Sequence, residues 1–186
     1  MTLLVGIHTK HGSVVASDSK LTAGYYFEGF KKLHVVGQHC VLFAGSVSHL
    51  APLLNAHQQT LGNFHNVEDL VTGLVGLINQ INASWPNDQG PVPDLGFMIA
   101  GRDRNRQRAL FVTVKSQNGY QALRLDPFAT QGSNVAYCMG YAALCRYYSQ
   151  DITLEKAKEL AAYILVEAAA VDNSVGGAIH MATILV

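Results

Sequence analysis

The chain has 186 residues, of which 49% are hydrophobic and only 14% are charged, and its 13 basic and 13 acidic side chains cancel. A zero net charge without a basic cluster argues against nucleic-acid binding. No apolar run approaches the roughly 18 residues of a membrane span. The chain does not open with the charged segment and apolar segment of a signal peptide, so we predict none. We therefore expect one cytoplasmic domain, residues 1–186, whose apolar surface is partly covered by other subunits, or else a compact monomer that is poor in charge.

The chain opens with extended segments. Residues 3–8 and 13–18 are predicted strands joined by a turn at TKHG, and 24–37 and 40–45 are further strands with glycines between them. Their closeness along the chain suggests antiparallel pairing. The hydrophobic period then changes to that of a helix over 47–61.

A second helix is predicted over 67–82, with Asn66 as its N-cap. After an irregular stretch at 84–94, the pattern predicts strands at 95–101, 109–116 and 120–126. Two helices follow at about 134–149 and 154–171, with Thr153 as the N-cap of the second, and the chain closes on a strand in AIHMATILV.

This order predicts an α+β fold, a four-layer αββα sandwich in which two antiparallel sheets lie face to face between helix pairs. Sheets covered on both faces explain why CVLFA and GFMIA are continuously apolar rather than alternating.

The side chains that commonly bind metals give no signal. The eight histidines show no ligand spacing, so we predict no metal site and no cofactor. Cys40, Cys138 and Cys145 stand among apolar neighbours, which favours reduced, mostly buried thiols in a cytosolic protein.

Thr2, directly behind the initiator methionine, is the strongest lead to chemistry. A terminal threonine can act as nucleophile with its own α-amine as base, because the pKa of that amine is ordinarily near ~7.7–8.0. A lysine ammonium would keep the amine neutral and ease deprotonation of the hydroxyl. Lys32 and Asp18 fit as that lysine and its carboxylate partner if strands 13–18 and 24–37 flank the first strand. Taken singly, each of the three residues has a simpler structural explanation.

Five segments carry a family resemblance. Thr2, GSVVASDSKLTAG, FKKL, LFAGSVS and DNSVGGAIHMATI occur in this order, and together they resemble a proteasome β-type subunit of the N-terminal nucleophile hydrolase fold over nearly the whole chain. The length resembles small bacterial relatives, the ClpQ-type peptidase and the betaproteobacterial proteasome homologue, whereas VGGAIHMATI is closer to proteasome β chains.

The resemblance implies a threonine peptidase that cleaves peptides or unfolded proteins inside a homo-oligomer of stacked six- or seven-membered rings, with or without an ATP-driven unfoldase. It implies that Thr2 is the nucleophile once Met1 is removed, and that Thr2→Ala abolishes turnover while leaving assembly intact. Its other implied catalytic residues are Asp18, Lys32, Gly45 with an oxyanion-binding N–H, and Asp172 beside the amine.

The implied substrate contacts form a second group. Thr22 and Val47 would hold the substrate backbone as an added strand. Leu21, Phe30 and Phe43 would line an apolar pocket for the residue before the cut, although each could equally be a core residue.

The sequence departs from the family at two places. The usual Gly-Ser-Gly is TQGSN here, so the supporting serine is replaced by Gln131 or displaced to Ser133. The serine before the paired glycines is Val175, with Ser174 one residue earlier. These departures leave open a non-catalytic or weakly active ring scaffold, or a hydrolase of small amides. A retained Met1 would also block the amine.

Overall fold

The computed structural model describes residues 2–22, 26–27, 31–45, 61–86 and 94–185, with the backbone alone at 21–22 and 26–27. The helix predicted over 47–61 lies outside these residues except at its last position, as do Phe30 and Val47. The described strands are β1 Leu3–Thr9, β2 Gly12–Asp18, β3 Leu21–Thr22, β4 Tyr26–Phe27, β5 Leu33–Val36, β6 His39–Gly45, β7 Leu95–Arg102, β8 Arg108–Ser116, β9 Gly119–Leu125, β10 Phe128–Gly132 and β11 Ile179–Leu185. The described helices are α1 Val67–Ser84, α2 Asn134–Tyr147 and α3 Leu154–Val171.

The longer strands form two antiparallel sheets. One has the order β10-β1-β2-β11, the other β5-β6-β7-β8-β9, and β3 pairs with β4 in a short ribbon. One core cluster lies between α1 and the five-stranded sheet, a second between α2, α3 and the four-stranded sheet, and a third between the two sheets. The predicted α+β sandwich is confirmed, with one helix of the described residues on one side and two on the other.

Strand β1 shows why both faces of the four-stranded sheet must be apolar. All seven of its residues are buried. Leu3 and Val5 belong to the cluster beneath α2 and α3, whereas Leu4 belongs to the cluster between the sheets. Because side chains alternate across a strand, Thr2 shares the inter-sheet side of the strand with Leu4.

The helices begin where the sequence predicts. The Asn66 side chain accepts the Asp69 N–H at 2.9 Å before α1, and the Thr153 hydroxyl accepts the Lys156 N–H at 3.3 Å before α3. Each cap satisfies a backbone donor that the first turn of a helix leaves free. None of the helices in the described ranges is long and apolar enough to cross a membrane.

Three expectations need correction. Strand β10 was not predicted; it pairs with β1, with Gly132 opposite Leu3. The segment before β6 does not flank the first strand, because β5 belongs to the five-stranded sheet and the neighbours of β1 are β10 and β2. Cys40 is buried, and burial raises the pKa of its thiol to about 11, but Cys138 and Cys145 are exposed on α2, since apolar neighbours in sequence do not decide which face of a helix points inward.

Candidate active site

Thr2, Asp18 and Lys32 meet at one end of the two sheets. Thr2 precedes β1 and Asp18 ends β2. The two strands are antiparallel, with Leu4 opposite Ser17, so both residues lie at the same end of the sheet. Lys32 precedes β5 and therefore reaches the site from the other sheet. The three residues are 3%, 1% and 1% exposed, so water is almost excluded from their side chains.

The three side chains form a closed hydrogen-bonded triangle. The Lys32 Nζ donates to Thr2 Oγ1 and, at 2.9 Å, to Asp18 Oδ2, and the Thr2 hydroxyl donates to Asp18 Oδ1. Burial lowers the pKa of Lys32 below its ordinary value, against the opposing effect of the Asp18 carboxylate. An ammonium that is both desolvated and hydrogen-bonded to a hydroxyl oxygen favours the deprotonated form of that hydroxyl.

Backbone donors fix the Asp18 carboxylate from several directions. It accepts the N–H groups of Leu3 at 3.0 Å, Lys20 at 3.2 Å and Gly176 at 3.3 Å. A carboxylate that accepts several backbone N–H groups is held in one orientation. The role of Gly176 was not predicted from the sequence, although the paired glycines of VGG mark the segment.

Ser133, Asp172 and Ser174 form a second cluster beside Thr2. The Ser133 hydroxyl donates to Asp172 Oδ2, and Ser174 donates to Asp172 Oδ1 through its hydroxyl at 2.6 Å and its backbone N–H at 2.8 Å. Burial alone would raise the pKa of Asp172, but these hydrogen bonds lower it below its ordinary value. The Ser133 N–H also donates to the Thr2 carbonyl at 3.3 Å, so this cluster is tied to the predicted nucleophile.

A cavity of about 140 Å³ opens next to Thr2 and is lined in part by Gly45, Gly96 and Gln131. Gly45 has φ +95°, and a Cβ there would collide with the carbonyl oxygen of Asp94. This conformation favours glycine, so the predicted oxyanion residue sits beside Thr2 where a side chain would not fit.

The predicted substrate contacts are only partly described. Leu21 and Thr22 form β3, of which the backbone is known. Phe43 is fully buried, and its ring lies 5.0 Å from that of His34 and 5.3 Å from that of Phe97. The structure therefore makes Phe43 a core residue, the alternative that the sequence left open.

The structure has two antiparallel sheets packed face to face between helices, and a threonine precedes a central strand. These features define the sandwich fold of the N-terminal nucleophile hydrolases. A family model described as "Proteasome subunit" matches residues 2–184. The chain belongs to the proteasome subunit family, which implies assembly into stacked rings.

The similar proteins are distant. The chain is 27% identical over 190 residues to proteasome subunit beta type-9 of Bos taurus, with 98% of this chain and 81% of the bovine protein covered. It is 24% identical over 187 residues to proteasome subunit beta 1 of Pyrobaculum calidifontis, with 99% and 90% covered. It is 25% identical over 186 residues to proteasome subunit beta 1 of Caldivirga maquilingensis, with 98% and 88% covered.

Proposed function

We propose that this chain is a threonine peptidase in which Thr2, freed by removal of Met1, is the nucleophile. The observation that carries the proposal is the hydrogen bond from the Lys32 ammonium to Thr2 Oγ1 within a buried ion pair with Asp18. A buried lysine costs stability unless its charge is used or compensated, and here it is directed at the hydroxyl of the second residue. This is the arrangement that activates an alcohol for attack.

The proposed reaction proceeds in two steps. The Thr2 hydroxyl, which donates to Asp18 Oδ1 before substrate binds, turns its proton to the freed α-amine. The amine takes this proton while Oγ1 attacks the scissile carbonyl, Lys32 stabilises the developing alkoxide, and the Gly45 N–H stabilises the oxyanion. The tetrahedral intermediate collapses with loss of the leaving amine, which receives the proton from the α-ammonium. Water, deprotonated by the same amine, then hydrolyses the ester on Thr2.

Asp172 and Ser133 are the proposed positioning groups for that amine. The two are hydrogen-bonded to each other, and the Ser133 N–H holds the Thr2 carbonyl. In this proposal, Ser133 takes over part of the role of the serine that Gln131 replaces. Thr22 and Val47 are the proposed contacts to the substrate backbone. Leu21 and Phe30 line the proposed pocket for the residue before the cut, and this apolar pocket favours hydrophobic residues there.

The proposed enzyme is a single-domain, cytoplasmic homo-oligomer of the small bacterial type, with its sites inside six- or seven-membered rings that receive peptides or unfolded proteins. Large apolar side chains that are exposed in the isolated subunit support contacts between identical copies. On α2, Val135 is 57% and Tyr141 47% exposed, and on α3 Val166 is 58% exposed.

A second candidate function is a weakly active or non-catalytic ring scaffold, or a hydrolase of small amides. Val175 favours it, because this buried residue offers no hydroxyl where the family usually has serine. The neighbouring Ser174 hydroxyl donates to Asp172.

Intact mass of the native protein, before and after an epoxyketone or β-lactone probe, tests the proposal. We expect loss of Met1, one probe mass per subunit, no labelling of Thr2→Ala and retained labelling of Thr2→Ser. Thr72→Ala, at an exposed threonine of α1, is the matched control and should label like wild type. A free Thr2 that never reacts, or a retained Met1, would favour the scaffold.

A further inference from the structure

Gln131 spans the gap between the two sheets next to the Thr2 cavity. It lies opposite Leu4 in the β10–β1 pair and crosses to the other sheet, where its Nε2 donates to the Thr113 carbonyl at 2.9 Å. The amide lies against Gly96, at which a Cβ would be only 2.8 Å from Nε2. The missing side chain of Gly96 thus provides the space for the Gln131 amide.

The Gln131 amide has one oxygen without a partner. Because the Thr113 carbonyl can only accept, the nitrogen must face it, and this fixes the orientation of the amide. Oε1 then points the other way, where it is buried and has no hydrogen-bond partner in the described structure. Buried acceptors are nearly always satisfied in folded proteins, and Gln131 lines the Thr2 cavity, so a donor on a ligand in that cavity is a candidate partner for Oε1.

The sheet order shows which half of a substrate meets this oxygen. On one side of β1 lies β2, which leads through Asp18 to Leu21 and Thr22, the proposed contacts to the acyl half. On the other side lies β10 with Gln131, and the cavity there is also walled by β7 and β8. A peptide bond placed at Thr2 Oγ1 with its acyl half toward β3 directs its leaving half toward the cavity.

Resting on the proposed peptidase function, we propose that Gln131 determines specificity for the residue that follows the scissile bond. Its Oε1 accepts a hydrogen bond from a small side chain that carries a donor, namely serine, threonine or asparagine. The volume of about 140 Å³ suits a side chain of that size. The terminal torsion of glutamine is broad, so a small adjustment lets Oε1 meet a donor in the cavity while Nε2 keeps its hydrogen bond to the Thr113 carbonyl.

Peptides that differ only by threonine or valine at one position test the proposal, because the two side chains have nearly the same shape. The pair is placed at each position in turn, and binding to the Thr2→Ala protein is measured by fluorescence anisotropy. We expect one position to favour threonine by about tenfold, as one added hydrogen bond predicts. The preference should be lost in Thr2→Ala/Gln131→Met, which removes the acceptor and keeps a side chain of similar length. Gln121→Met, at an exposed glutamine of β9, is the matched control.

Turnover by the protein with Thr2 intact separates this inference from the proposed function. Cleavage mapped by mass spectrometry should place the threonine-preferring position immediately after the cut. A preference at a position before the cut, a preference that survives Gln131→Met, or no preference at any position would overturn the role of Gln131. A threonine preference in binding without any turnover would refute the peptidase and leave Gln131 as a ligand-binding residue.

Discussion

Replacing Lys32 by methionine separates what the buried ion pair does for stability from what it does for chemistry. The side chains of Lys32 and Asp18 are 1% and 2% exposed, so Lys32→Met strands a carboxylate that water cannot reach. Removing one partner of a buried pair costs about 3–5 kcal/mol, a large part of the roughly 5–15 kcal/mol that stabilises a typical domain. From the sequence, where Lys32 matches the catalytic lysine of the family, we expect Lys32→Ala to lower the rate by orders of magnitude while the fold stays intact. The burial changes that expectation.

Asp18→Asn in the Lys32→Met background completes the test. Asparagine keeps an oxygen for the Leu3 N–H, which now donates to Asp18 Oδ1 at 3.0 Å, and it removes the uncompensated charge. Its NH2 group cannot accept the Lys20 and Gly176 N–H groups that Asp18 Oδ2 accepts, so we expect the double variant to recover part of the lost free energy of unfolding. It should stay unreactive toward the epoxyketone probe, because no ammonium remains at Thr2 Oγ1.

Guanidinium denaturation at equal protein concentration, followed by the fluorescence of Trp85, the single tryptophan, measures the stability. Sizing of each variant accounts for changes in assembly, which also shift apparent stability. A Lys32→Met protein within about 1 kcal/mol of wild type would contradict the closed, dry pair, for which the loss should be several times larger. A double variant that regains labelling would show that Lys32 does not activate Thr2.

Three further predictions follow from single residues. Thr2→Ala should abolish turnover of a fluorogenic peptide with unchanged sizing, and any residual hydrolysis would disprove the nucleophile. Gly45→Ala should lower the free energy of unfolding by at least ~1–2 kcal/mol because of its positive φ and should also abolish turnover, both measurable on one preparation. Burial lowers the pKa of His8 from 6.5 to about 4. Because the unfolded chain binds the proton more tightly, the free energy of unfolding should fall by roughly 2–3 kcal/mol as the pH is lowered from about 6.5 to 4. Denaturation at both pH values should show this loss, and His8→Gln should reduce it.

Local patterns in the sequence determined most of the secondary structure. The helical period and the caps Asn66 and Thr153 located two helices to within two residues at each end, because a helix is built from contacts three and four residues apart. The ordered motifs pointed to the sandwich and to Thr2, Asp18 and Lys32. FATQG escaped prediction because a five-residue strand carries little periodicity of its own and is defined by its partner, β1.

Only the tertiary structure decided how the site is assembled. Lys32 approaches Thr2 from the opposite sheet, Ser133 and Asp172 meet across 39 residues of chain, and Phe43 turns into the core. The orphan oxygen of Gln131 exists because Gly96 and Thr113, on the facing sheet, hold the rest of its amide. Such contacts depend on which sheet each strand joins, and strand pairing is settled by long-range packing rather than by the residues on either side.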